Sequence, residues 1–299
     1  MSVGNLSHHS IKNIISDYVN LTKPRIQLML LITALGGMFV AADGPPPLIL
    51  GLLVLAGGAL AAGGASAINN SIDWDIDQRM RRTRTRPVAD GRIGQKSALI
   101  FGIILNVVAF GILATGVNYL SAWLTLGATL FYVVIYTKLL KRSTTQNIVI
   151  GGAAGAIPPV VGWAAVTGEV GLPALYLFAI VFFWTPPHFW ALSLLIQGDY
   201  ERAEVPMLPV IKGIPATTKN IFLHTVILVT MTLLFFVIGA VGLIYLFGAI
   251  FLGSIFLYLS YRLIRSADNR NARTLYLYSL LYLALVFGFM MLDSSLSLF

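Results

Sequence analysis

The chain contains no cysteine. Disulfides, thiolate metal sites, covalent haem attachment through CxxCH and cysteine nucleophiles are therefore excluded, and any bound metal must take oxygen or imidazole ligands. Charge is almost as scarce. Only 11% of the 299 residues are Asp, Glu, Lys or Arg and 57% are hydrophobic, whereas soluble domains carry about 25% charged residues. A solvated surface cannot be built from that composition. Uncharged runs long enough to cross about 30 Å of hydrocarbon at 1.5 Å per residue predict an all-α, polytopic membrane protein. No GxxxxGK[ST] phosphate loop occurs.

Nine spans are expected, over residues 26–42, 48–68, 98–117, 120–136, 148–166, 172–196, 221–240, 242–261 and 275–292. Residues 221–261 form one uncharged run, about twice the length a single crossing needs; with Gly239 and Gly242 near its centre it reads as a tight hairpin. The length fits one domain, residues 1–299, preceded by no signal-peptide core; residues 1–22 read as a cytoplasmic N-terminal segment.

Lysine and arginine are missing from every gap on one side of these spans: residues 43–47, 118–119, 167–171, Val241 and the tail from Asp293. All 20 cations lie on the other side. The positive-inside rule makes that side the cytoplasm of a cell inner (plasma) membrane, with the N-terminus inside and the C-terminus outside. The net charge of +8 then reflects topology and contact with anionic lipid, and its scatter over helix ends excludes a nucleic-acid-binding face.

Carboxylates are absent from the middle of every span, which argues against proton-coupled transport and places chemistry at the cytoplasmic mouth. The densest polar cluster follows the second span. Asn69, Asp73 and Asp77 recur every four residues, so a continuing helix aligns them as one stripe of oxygen ligands suited to Mg²⁺, partly through water. Asp75, turned about 200° from Asp73, falls off that stripe. The arginine-rich run beyond, including Arg82 and Arg86, matches phosphate oxygens in a bidentate way. The bland alternative is a helix end dissolving into a polar loop whose arginines only set topology. After the sixth span come Asp199, Glu201 and Glu204, four crossings away and hence on the same side, where the geometry allows a substrate diphosphate to bridge both loops through Mg²⁺. A third loop adds Tyr136, Lys138, Lys141 and Arg142, either phosphate-binding or topological.

Spans five and six each carry a proline pair, Pro158–Pro159 and Pro186–Pro187, expected to break the helices beside a cavity or a protein contact. Gly151, Gly152 and Gly155 read as close helix packing. His188 follows the second pair at membrane depth between Trp184, Phe189 and Trp190; it is either a packing residue bonded to a carbonyl freed by Pro186 or Pro187, or a ligand, imidazole being a common haem axial ligand. His224, His8 and His9 have only ordinary surface or helix-end roles.

At these residues the sequence resembles the UbiA-type intramembrane prenyltransferase superfamily and, within it, the protohaem IX farnesyltransferase (haem O synthase) branch. Asn69, Asp73 and Asp77 match the NxxxDxxxD motif, followed by RTRTRP ending at Pro87. YTKLLKRSTTQNIVIGGAAGAIPPVVGW (136–163), WTPPHFW (184–190) and DYERAEVPMLPVIKG (199–213) match the branch in wording and order. In the second acidic loop only Asp199 carries over, because Gly198 stands where relatives often have another acid.

The resemblance implies a ring of nine helices around a central cavity. It implies transfer of the farnesyl group of farnesyl diphosphate to a vinyl group of protohaem IX, with Mg²⁺ as cofactor. Implied catalytic residues are Asp73, Asp77 and Asp199; metal ligands Asn69, Asp73, Asp77 and Asp199; diphosphate contacts Asn69, Arg82, Arg86, Lys141 and Arg142; and His188 on the haem side. Implied partners are farnesyl diphosphate, protohaem IX, membrane lipid and a downstream haem-modifying enzyme or terminal oxidase assembly. Two other readings remain open at this stage: prenyl transfer to a quinone precursor or other ring acceptor, and a haem or lipid transporter that transforms nothing.

Overall fold

A computed structural model describes residues 11–296; His8 and His9 and residues 297–299 lie outside the described residues. Every regular element within them is helical. A short helix, α1 (Ile11–Thr22), leads through Lys23 into α2 (Pro24–Ala42), followed by α3 (Leu48–Ile72), α4 (Trp74–Arg79) and α5 (Gln95–Gly116). The chain continues through α6 (Tyr119–Leu130), a π-helical stretch (Phe131–Leu140) and α7 (Lys141–Ser143), which together make one crossing. Then come α8 (Asn147–Gly155), α9 (Ile157–Thr167), α10 (Leu172–Leu195), α11 (Gln197–Arg202), α12 (Leu208–Val237), α13 (Leu243–Arg265) and α14 (Asn269–Leu296). Nine apolar crossings result among the described residues, as the hydropathy pattern predicts. Successive crossings pack side by side, and α14 packs on α2 to close the ring.

Small residues let the backbones approach. A Cβ on Gly162 of α9 would strike the Ala34 carbonyl, and one on Gly37 of α2 the Pro159 carbonyl, so these two helices can meet only through glycine. Gly151 and Gly152 also seat neighbours, the Tyr136 ring and the Thr185 side chain, but Gly155 faces open space and packs on nothing. The long apolar run divides as its glycines suggest. The second helix of the hairpin starts at Leu243, and Gly239 takes a φ of 75° in the turn, a left-handed conformation that costs glycine little.

The proline pairs behave differently from each other. Pro158 and Pro159 occupy the first turn of α9, where no backbone donor is required, and the crossing is interrupted at Ala156 just before them. Pro186 and Pro187 lie inside α10, which continues through them, so the expected break at the second pair does not occur. The segment before the first crossing is more than a polar tail. Leu21 and Asp17 of α1 are buried, Arg92 pairs with Asp17, and Tyr18 packs edge-on against Phe101 at 4.9 Å.

Candidate active site

The stripe expected after the second span exists, with a hinge in it. Helix α3 ends at Ile72, Asp73 departs from helical geometry (φ −89°, ψ 11°), and α4 resumes at once. The ladder survives because the Asp77 N–H still donates to the Asp73 carbonyl at 2.8 Å. Asn69 Nδ2 donates to Asp73 Oδ2 at 2.7 Å and to Thr137 Oγ1 at 3.2 Å. Asp73 and Asp77 are 0% and 2% exposed. Asp75 lies on the other side, half-exposed in a two-pronged pair with Arg142 at 2.7 and 2.9 Å. That pairing is the main reason its carboxyl sits below the usual carboxylate range.

Each buried acid is met by a cation. Lys141 pairs with Asp73 Oδ2, while Arg86 Nη1 reaches both Asp77 oxygens at 2.9 and 2.8 Å. Asp199 pairs with Arg202 and accepts the Arg82 backbone N–H at 3.2 Å, so the two acidic loops touch directly. Ile76 and Met80 also pack against Tyr200, Ala203, Val205 and Met207, giving the loops a common apolar floor. The Arg82 side chain itself is exposed. Glu201 bonds only Gln197 on the surface, and Glu204, at a φ of 55°, pairs with Arg79 in the open at 3.4 Å. Neither joins the buried set.

One oxygen in this cluster is left over. Asp73 Oδ1 is sealed and has no hydrogen-bond partner; the Arg142 guanidinium lies 3.6 Å from it. A sealed, unpartnered carboxylate oxygen costs free energy unless something of opposite charge completes it. With Asn69, Asp77 and Asp199 nearby, the donor set is entirely hard oxygen, which fits Mg²⁺. The expectation that the stripe faces a single point is only half met: Asn69 and Asp73 touch, but Asp77 turns to Arg86. Among the described residues no three acidic or imidazole groups gather closely enough to enclose an ion unaided.

Two contributors escaped the sequence reading. Lys23, half-buried at the junction of α1 and α2 with a φ of 52°, donates to Asn69 Oδ1 at 3.3 Å. Burial first, then the Arg86 charge, pulls its ammonium down to about 7. The other is the π-helical stretch. The Lys138, Lys141 and Arg142 segment is the end of a helix, not a free loop. In an α-helix Thr137 would point about 140° away from Tyr132; here Thr137 Oγ1 donates to the Tyr132 carbonyl five residues back at 2.9 Å while also receiving Asn69. Wide turns of this kind recur at functional sites. Tyr132 and Tyr136 stack at 5.5 Å along the same stretch.

Deeper in the ring, His188 is 7% exposed. Its ring stacks on Trp184 at 4.4 Å and on Tyr276 of α14 at 4.9 Å, with the Phe189 edge at 5.2 Å. Its Nδ1 faces Ser279 Oγ at 2.7 Å, so the partner is a side chain on another helix and not a carbonyl freed by the proline pair.

The profile of the UbiA prenyltransferase family matches residues 30–288. A protoheme IX farnesyltransferase from Gloeobacter violaceus is 50% identical over 281 residues, 94% of this chain and 92% of the relative. One from Trichormus variabilis is 49% identical over 295 residues, 98% and 93% of the two chains. Among solved structures, a UbiA homolog from Archaeoglobus fulgidus bound to GPP and Mg²⁺ superposes with a TM-score of 0.68 at 17% identity, over 92% of this chain and 99% of that one. The helical ring, the acid–cation mouth and a family match covering most of the sequence converge: the chain belongs to the UbiA prenyltransferase family.

Proposed function

We propose that this prenyltransferase moves the farnesyl group of farnesyl diphosphate onto a vinyl group of protohaem IX, releasing diphosphate and giving haem O. The observation that carries the reading is one mouth in which Asn69, Asp73 and Asp77 meet Lys23, Lys141 and Arg86, with Asp199 held against the same loop by the Arg82 N–H. The chain around that mouth is half identical to proteins named protoheme IX farnesyltransferase. The positive-inside pattern turns the mouth to the cytoplasm of the inner membrane.

The diphosphate takes over cations that now neutralise carboxylates. Lys141, Arg86 and Lys23 lie where its oxygens would sit, with Arg82 and Arg142 at the rim, and their charge favours departure of the diphosphate with the C1–O electron pair. Asn69, Asp73, Asp77 and Asp199 would hold Mg²⁺ together with substrate oxygens and water, and the ion when bound supplies Lewis-acid stabilisation of the leaving group. The Tyr132–Tyr136 stack presents aromatic faces beside this site, suited to an allylic cation. The vinyl carbon attacks C1. The positive charge then passes to the carbon next to the porphyrin, where water adds and loses a proton, leaving a hydroxyethylfarnesyl substituent. His188 lies on the haem side, eleven residues before Asp199 on a helix that leads into the acidic loop.

The test is to incubate detergent-purified protein with haem B, farnesyl diphosphate and Mg²⁺ and to weigh the haem product. A mass increase of one farnesyl group plus one hydroxyl is expected, abolished by excess EDTA and restored by Mg²⁺. Unmodified haem, with a quinone precursor prenylated when it is supplied in place of haem B, would reject the assignment, and full turnover in EDTA would reject the metal.

A further inference from the structure

The contacts of Ser279 favour one of the two neutral tautomers of His188. Ser279 Oγ donates to the Tyr276 carbonyl, one turn back on α14, at 2.7 Å. A hydroxyl has one hydrogen. With that hydrogen directed at Tyr276, the oxygen faces His188 Nδ1, also 2.7 Å away, as an acceptor. An imidazolium would present a second N–H at Nε2, and among the described residues nothing accepts there. Nor is Nε2 among the sealed polar atoms, as Trp190 Nε1 is. The same residue holds the neighbouring ring, because Trp184 Nε1 donates to the Ser279 backbone carbonyl at 2.7 Å.

We propose that Ser279 is a positioning residue: it fixes His188 as the neutral Nδ1–H tautomer, stacked on Trp184 and Tyr276, and so leaves the Nε2 lone pair directed to the porphyrin substrate as a ligand for its iron. An imidazole whose far N–H is held by a second residue has both its tautomer and its ring orientation set, which strengthens it as a metal ligand. The iron end of this inference rests on the haem reading above; the tautomer does not.

Two measurements separate them. Protein labelled with ¹⁵N-histidine in nanodiscs, assigned by the signal missing from His188→Gln, should show His188 protonated at Nδ1 and bare at Nε2 before any haem is added. Ser279→Ala should lose that pattern. It should also weaken ferric haem binding by about tenfold or more and shift the Soret band; Ser279→Thr, which keeps a hydroxyl able to donate back along the helix, should retain both. A wild-type signal with the proton on Nε2 overturns the tautomer assignment without recourse to any variant, and so does a Ser279→Ala spectrum identical to wild type. A His188→Ala protein with unchanged haem affinity and Soret band overturns the ligand role and leaves the tautomer standing.

Discussion

Both ends of the helical ring bury a carboxylate at a helix boundary, and they treat it in opposite ways. At the end without cations, Asp293 of α14 accepts the backbone N–H groups of Gly242 and Tyr245 and so caps the start of α13. Donors and acceptors there match, and the acid finishes a helix whose first turn would otherwise have orphan N–H groups in an apolar setting. At the mouth, Asp73 is more deeply buried but keeps one oxygen without a hydrogen bond, and its other partners are the side chains of Asn69 and Lys141. Backbone donors cannot leave; ammonium and guanidinium groups can change partner. A carboxylate satisfied by main chain belongs to the architecture, whereas one held by side-chain cations is poised for exchange with an anionic substrate.

The sharpest way to break this contrast is to remove the mouth acids. Asp73→Ala or Asp77→Ala should lower turnover by about 10² or more, since metal and cation stabilise several kcal/mol of leaving-group charge, while membrane insertion stays normal. Next in size is a pH effect at Lys23. Its ammonium is present below about 7 and lost above it, so KM for farnesyl diphosphate should rise between pH 6 and 8, by up to about tenfold per unit. Lys23→Arg, whose charge persists, should flatten the profile. At the other end, Asp293→Ala should leave kcat intact but cost about 1–3 kcal/mol in stability as two N–H groups lose their acceptor, read as a lower midpoint in detergent melting. The smallest effect is expected for Asp75→Ala, which removes a half-exposed pair; a loss equal to that of Asp73→Ala would erase the difference between buried and rim acids.

The stripe Asn69–Asp73–Asp77 was legible because fourfold spacing survives a small hinge, and the nine crossings because hydropathy and cation placement both depend only on local composition. What escaped depends on backbone geometry. Nothing in Thr22–Lys23–Pro24 announces that a left-handed Lys23 turns its side chain inward rather than to lipid head groups. The acids at Asp199, Glu201 and Glu204 look alike in sequence, yet the reversal at Glu204 throws it outward to an exposed pair with Arg79, and only Asp199 is buried against the first loop. The proline pairs also read alike, and differ because one starts a helix while the other is carried inside one by surrounding packing.

The π-helical stretch between Phe131 and Leu140 has a mechanical meaning for its crossing. Upstream, α6 is clocked by its neighbours: Asn118 Nδ2 donates to the Ala164 carbonyl at 2.8 Å and Trp123 meets Phe110 edge-on at 5.0 Å. Downstream, Thr137 and Lys141 are clocked by Asn69 and Asp73. Between these two settings run the wider turns of the π-helical stretch, which set the rotation of one against the other as a vernier does. The rotational register of the crossing is therefore carried by residue number alone. Where loops of this chain can gain or lose a residue and merely change length, an insertion or deletion inside this stretch turns every side chain after it by roughly 100°, swinging Lys141 away from Asp73 without altering a single contact upstream.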